Sequence, residues 1–173
     1  ERYRYMRGYK RYMERFFSYS VGTTNGIKND GSGFHHWTAY NNYMYSFNTA
    51  MNCVSYLDGT SFQVSTANYK IFRDAVLVQL LQANDASVQA LSTVGRKPAS
   101  REYSLSASNI QSLAIAGGNI LGLATADPIL AGFCNRAFGV NPQFNYNTVA
   151  PFETGFIQLN HASAGIFRNN NWV

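Results

Sequence analysis

The sequence predicts a mainly α-helical chain that ends in a short β segment. Three observations predict it. Apolar residues recur at three- and four-residue steps in five separate stretches, the period of a helix with one buried face. Clusters of Gly, Asn, Asp and Pro separate those stretches and punctuate rather than continue a helix. After Gly139 the pattern changes, and Gly155-Phe-Ile-Gln-Leu-Asn and Ala164-Gly-Ile-Phe-Arg read as two short strands. A length of 173 residues suits one domain. Two strands alone are only marginally stable, however, so a β domain is expected to begin near the end of the chain. The expected division is a helical part over 1–140, a linker over 141–154 and the start of a β domain over 155–173.

The first helix is expected over 3–19, where Tyr5, Tyr9, Tyr12, Met13, Phe16 and Phe17 carry the helical step. Val21 to Gly33 is turn chemistry, with Asn25-Gly26 and Asp30-Gly31 as breakers. A second helix is expected from about Tyr43 to Leu57, its buried stripe made by Phe47, Ala50, Met51, Val54 and Leu57, and Asp58-Gly59 ends it. The third is the clearest. Ser65 or Thr66 caps it, because a side-chain oxygen there accepts from an orphan backbone N–H. Tyr69, Phe72, Ala75, Val76, Leu80 and Ala83 follow at helical spacing. Asn84 to Leu105 reads as a loop with a short helical piece around Val88 to Leu91. A fourth helix starts near Ser106 and carries Ile110, Leu113, Ala114, Gly117, Ile120, Leu121 and Ala124. A fifth runs from about Pro128 to Ala137, since proline suits the first helical position.

Composition narrows the function classes. The chain is 46% hydrophobic and 13% charged, enough to bury a core under a surface rich in Asn, Ser, Thr and Tyr. Of its fourteen basic residues, Arg2, Arg4, Arg7, Lys10, Arg11 and Arg15 crowd the first helix. That cluster reads as a solvated helix face ahead of a polyanion site. No helix-turn-helix, zinc or RNA-binding signature accompanies it, so no nucleic-acid partner is expected. The longest apolar region, Leu113 to Phe133, is broken by Gly117, Gly118, Asn119, Asp127 and Pro128. A bilayer helix needs about 20 mostly apolar residues, so this region reads as a pair of buried helices and no membrane span is expected. Cys53 and Cys134 form no CxxC pair or Cys/His metal spacing; free buried thiols are the default expectation, and a disulfide is the alternative for an exported protein. The chain opens on Glu1 and a basic aromatic helix, which reads as the interior of a longer polypeptide.

The chemistry concentrates in Asn29-Asp-Gly-Ser-Gly-Phe-His-His-Trp-Thr-Ala-Tyr-Asn-Asn-Tyr43. A histidine and a tyrosine held together can move protons to and from a substrate. Trp37 beside them offers a flat face for a sugar ring. Arg96 and, further along the same loop, Arg101 offer guanidinium groups. The set suits an acidic sugar.

These residues resemble a known family. Gly26-Ile-Lys-Asn-Asp-Gly-Ser-Gly-Phe-His-His36 is similar to the G-x-K-x-D-G-[ST] run that leads to the catalytic histidine of the family 8 polysaccharide lyases. Tyr43 stands seven residues after His36, as in the broad-specificity chondroitin sulfate ABC lyases; hyaluronate and xanthan lyases space the pair more widely. Gly95-Arg96 sits where the family carries its active-site arginine. The strand-like tail resembles the entry to the family's central β domain. The resemblance is collinear over roughly residues 20–173 and specific around 26–43. Two positions depart: His35 stands where the ABC enzymes carry arginine, and Trp37-Thr-Ala replaces a small polar segment.

The resemblance implies part of an (α/α) toroid catalytic domain followed by the first strands of an antiparallel β-sandwich. It implies a secreted or periplasmic bacterial lyase that cleaves glycosaminoglycans by β-elimination. Tyr43 would be the acid and, for glucuronate, also the base. Arg96 would activate it, and His36 would be a second base or neutralise the carboxylate. His35, Trp37, Tyr40 and Arg101 would contact substrate, and His161 reads as structural. No cofactor is required, and an auxiliary divalent cation is compatible with the chemistry. The partners would be an acidic polysaccharide and the remainder of the same enzyme, its upstream helices and downstream β domain. A relative acting on hyaluronan or another uronate polymer, and a non-catalytic glycosaminoglycan-binding helical module, are the alternative readings.

Overall fold

A computed structural model describes residues 1–35, 44–82, 106–139 and 154–169. Five helices and two small antiparallel sheets make up these residues: α1 (Arg2–Phe16), β1 (Gly26–Ile27), β2 (Gly33–Phe34), α2 (Met44–Leu57), α3 (Thr66–Leu81), α4 (Ala107–Leu121), α5 (Pro128–Phe138), β3 (Thr154–Leu159) and β4 (Ala164–Asn169). The protein is therefore mainly α, as its periodicity predicts. The loop expected over 84–105 lies outside the described residues. So does the expected linker, except that Thr154 already belongs to β3.

The core forms where the helices face α3. Tyr69, Phe72, Ala75, Val76, Leu77, Leu80 and Leu81 of α3 are all buried. They meet the predicted α2 stripe, in which Phe47, Ala50, Met51, Val54 and Leu57 are also buried. Phe17, just past α1, stacks on Phe72 with ring centroids 4.2 Å apart, and Phe47 meets Phe72 edge-on at 5.3 Å. Aromatic pairs in these geometries add to the area they bury. α4 contributes Ile110, Leu113, Ala114 and Ile120, and α5 contributes Leu130, Ala131 and Cys134.

The ends of the helices follow local chemistry. Ser65 caps α3, its hydroxyl accepting from Asn68 N at 3.3 Å. Asp127 caps α5, its carboxylate accepting from Ile129 N at 3.0 Å, with Pro128 in the first turn. α4 ends at Leu121 rather than at Ala124, because Gly122 adopts φ 70° and closes the helix in the left-handed conformation. α1 ends at Phe16, short of the expected Tyr19. The Ser18 hydroxyl turns back to Glu14 O at 2.8 Å, and Tyr19 leaves to form a parallel bridge with Ile27.

The first helix corrects one further expectation. Met13 is its buried residue, while Tyr5 and Tyr12 are 76% and 69% exposed. The core meets only the narrow strip of α1 that carries Met13 and leads to Phe17, and the other helical-step tyrosines lie off that strip. Arg2, Arg4, Arg7, Arg11 and Arg15 are exposed and Lys10 is half-buried, consistent with a solvated face. Both cysteines are free; Cys134 is buried, but Cys53 is only half-buried and its sulfur accepts the Tyr9 hydroxyl at 2.7 Å. That bond and burial push the Tyr9 phenol up to about 12.

In the second sheet Phe156 pairs with Phe167 and Ile157 with Ile166. Alternation divides its faces. Leu159, Ala164 and Ile166 are buried and pack with Val78 of α3, whereas Phe156 and Phe167 are 63% and 50% exposed. Arg168 ties the hairpin to the end of α3, its Nη1 donating to Leu81 O at 3.0 Å. No described helix is long and apolar enough to cross a membrane.

Candidate active site

The segment that leads to the predicted histidines is built as two nested turns. Lys28 N donates to Ser32 O at 2.8 Å, and Gly31 N to Lys28 O at 2.9 Å. These bonds close a tight reversal between β1 and β2, which pair Gly26 with Phe34 and Ile27 with Gly33. Gly31 is required at the tip. It has φ 82°, and a Cβ there would run into the Val78 side chain of α3. The turn is thus seated against α3 through backbone.

Lys28 closes the outer turn. Its side chain is fully covered, and Nζ donates to Gly22 O at 2.8 Å and Thr24 O at 2.7 Å. Burial pushes the ammonium below the usual lysine value, opposed in part by the Asp30 charge. A buried ammonium that feeds two carbonyls holds the loop in one shape, because leaving those donors unpaired would cost more than a neutral bond gains.

Asp30 joins two distant parts of the chain. Its Oδ1 accepts from Ser32 N at 3.0 Å and from Ser32 Oγ at 2.5 Å, the local turn that Asp, Gly and Ser favour. Its Oδ2 accepts from His161 N at 3.0 Å, across 131 residues. His161 Nε2 also lies 3.2 Å from Asn29 Oδ1. Desolvation pushes the Asp30 carboxyl up, but the hydrogen bonds from Ser32 and His161 outweigh it and hold the group below the usual carboxylate range. His161, at the β3–β4 turn, is thus a structural contact to this loop.

Of the sequence-predicted site residues, His35 is described. It follows β2 directly and is half-buried. His36, Trp37, Tyr40, Tyr43, Arg96 and Arg101 lie outside the described residues. The loop that delivers His36 is therefore defined up to its last residue.

Beneath the loop a cleft of about 380 Å³ lies between Asn29–Gly31 and α3, with Arg73, Asp74 and Ile129 in its wall. Arg73 does not offer a free cation there. Its Nε donates to Asp74 at 2.9 Å and its Nη1 lies 3.4 Å from Asp127 Oδ2. Asp127 also takes the Tyr69 hydroxyl at 2.7 Å. Burial, then the Asp127 charge, pushes the Tyr69 phenol far above its usual value, so this phenol is a donor and not a base. The Tyr69–Arg73–Asp127 group escaped the sequence reading, and Lys28 and Asp30 entered it only as members of the motif run, without their partners. Asp30-Gly31-Ser32 signals a turn, but nothing in the sequence signals its partner at 161. Among the described residues no group of three or more His, Cys, Asp and Glu could hold a metal ion.

No curated protein matches the chain. Residues 1–135, from α1 through most of α5, match the family model described as "Lyase, catalytic", and the loop from Gly26 to Tyr43 lies within that span. On that match the chain belongs to this lyase catalytic-domain family, a family of polysaccharide lyases.

Proposed function

We propose that the chain forms the helical wall of a lyase active site that cleaves uronic-acid-containing glycosaminoglycans, chondroitin and dermatan sulfate, by β-elimination. The observation that carries this reading is the Gly26-to-His36 run with Tyr43 seven residues on, inside the matched lyase span. In this reading the helices are part of an (α/α) toroid and β3–β4 opens an antiparallel β-sandwich domain. The protein works outside the bacterial cytoplasm, where such polymers are met.

The reaction removes the C5 proton of a hexuronate, expels the C4 oxygen and leaves a C4–C5 double bond. The C5 proton sits next to a carboxylate and is very weakly acidic, so charge that develops on that carboxylate must be neutralised. A phenol near pKa 10 needs adjacent positive charge to act as base, and Arg96 supplies it to Tyr43. Tyr43 takes the C5 proton of glucuronate and returns a proton to the leaving oxygen. His36 serves iduronate, whose C5 proton points to the opposite face, or neutralises the carboxylate. His35, Trp37, Tyr40 and Arg101 contact the polymer. No cofactor takes part in this scheme.

A second reading has its own support. The exposed arginines and tyrosines of α1 suit a polyanion, which favours a glycosaminoglycan-binding module without turnover. Trp37 beside His36 favours a relative tuned to hyaluronan or another uronate polymer. Ultraviolet absorbance during incubation with chondroitin sulfate, dermatan sulfate and hyaluronan separates all three. Elimination alone creates the conjugated, absorbing uronate. A rising signal supports the lyase and ranks the polymers, whereas binding with a flat signal rejects it in favour of the module.

A further inference from the structure

We propose that Asp30 is a positioning residue for catalysis, acting as a clamp that holds the histidine-bearing loop against the β3–β4 turn. This rests on the lyase reading and goes beyond it by assigning a role to a side chain that touches no substrate in the scheme above.

The carboxylate has two oxygens with two different tasks. Oδ1 accepts the amide and hydroxyl of Ser32 and so shapes the turn between β1 and β2. Oδ2 accepts the amide of His161, and His161 Nε2 lies within hydrogen-bond distance of Asn29 Oδ1 beside it. One side chain therefore fixes the loop locally and ties it to a hairpin far along the chain. The loop cannot relax inward, because Gly31 lies against Val78. The hairpin cannot slide freely, because Leu159, Ala164 and Ile166 pack with Val78 and Arg168 holds Leu81 O. Val78 is thus the shared support, and Asp30 the polar link above it.

Past this clamp come β2 and His35, and His36 is the next residue in the sequence. Catalytic geometry is sensitive to small displacements: a shift of about 1 Å can cost on the order of 10²-fold in rate. Loss of the clamp should therefore lower turnover more than binding.

The test uses the full-length protein and its Asp30→Asn and His161→Ala variants. Asparagine keeps an acceptor for Ser32 but can turn an N–H toward the His161 amide, donor against donor. His161→Ala, at an exposed turn, removes the Asn29 contact beside the clamp and leaves the His161 amide bonded to Asp30. Three quantities are read: kcat and KM on chondroitin sulfate by ultraviolet absorbance, exchange of the His161 amide, and helical circular dichroism. The expected result for Asp30→Asn is kcat down by at least about tenfold with KM within about threefold. Its His161 amide should exchange at least about tenfold faster, with helicity retained. His161→Ala should shift kcat in the same direction by less. Unchanged kcat in a folded Asp30→Asn protein would overturn the positioning role; if that variant does not fold, unchanged kcat in Asp30→Ser, whose short hydroxyl suits the turn but does not reach the His161 amide, would overturn it instead. A wild-type protein that yields no unsaturated product overturns the lyase reading and the positioning role together. Even then, unchanged His161 protection in folded Asp30→Asn would separately overturn the clamp.

Discussion

The Tyr69 hydroxyl donates to Asp127 Oδ2 at 2.7 Å inside the helical core, joining the middle of the bundle to the cap of α5. Asp127 is fully buried and receives Ile129 N and Arg73 as well. Tyr69→Phe should cost about 1.5–3 kcal/mol, the range for a hydrogen bond to a charged group. Asp127→Ala should cost more, about 3–5 kcal/mol, because it leaves the buried Tyr69 hydroxyl without its acceptor, takes one of the two carboxylates from Arg73 and removes the cap together. Urea unfolding with unchanged m-values checks both. A loss below half a kcal/mol for Tyr69→Phe would show that the bond contributes nothing net.

Two glycine-to-alanine changes should have opposite signs. At Gly117 an added Cβ would fall inside contact distance of the Tyr69 hydroxyl and ring, which Asp127 holds in place. Overpacking of that kind costs about 1–3 kcal/mol. At Gly8, on exposed α1, a Cβ meets nothing within 4 Å. Gly8→Ala should stabilise by about 0.5–1 kcal/mol through helix propensity alone. Thermal unfolding of the two variants decides it, and a destabilised Gly8→Ala would contradict the open environment.

Gln79 of α3 is fully buried, and among the described residues neither its amide nitrogen nor its oxygen has a hydrogen-bond partner. An unpaired buried polar group costs about 1–3 kcal/mol. Gln79→Met keeps the length and drops the polar atoms, so it should raise stability by about 1 kcal/mol. Lower stability on denaturant unfolding would mean that the amide gains an interaction in solution.

The Asp30 carboxyl predicts an acid-side loss of stability. Its folded-state pKa lies below its unfolded value, so the folded state binds its proton less readily. The stabilisation is present above the ordinary aspartate value of about 3.9 and fades as pH falls through the depressed folded value. Unfolding free energy measured from pH 6 downward should fall less steeply for Asp30→Asn than for wild type below about pH 4. Parallel curves would show that Asp30 does not couple to folding.

For the proposed chemistry, Tyr43→Phe should abolish product formation in the full enzyme while polymer binding is nearly unchanged, since only the proton-transfer group is lost. Retention of more than about a tenth of the wild-type rate would exclude Tyr43 as the acid. His36→Ala should hurt iduronate-containing dermatan sulfate at least as much as glucuronate-containing chondroitin. Equal, mild losses on both would reduce His36 to a support for Tyr43.

The helices were legible because burial on one face imposes a period that sequence displays. The α2 stripe from Phe47 to Leu57 is buried as its spacing indicates, and Pro128 opens α5 as its fixed φ favours. Less legible were the ends and faces that depend on what stands nearby. Tyr5 and Tyr12 share the step of buried residues yet are exposed, whereas Tyr9 between them reaches Cys53 of α2. The run from Gly26 to Tyr43 lies inside the matched lyase span, while the proton-transfer roles of His36 and Tyr43 stand as part of the proposal.

By itself the sequence determined the mainly helical class, the two-strand tail, the turns and the lyase catalytic-domain family. All of these rest on interactions a few residues long, or on side-chain chemistry that needs no fold to be read. Only the tertiary structure decided that Asp30 meets His161, that Tyr69 meets Asp127 and that Val78 supports both the loop and the hairpin. Those contacts join residues far apart in the chain, where no local period or propensity carries information. They form only when burial of the α3 core brings the turn and the hairpin to the same helix.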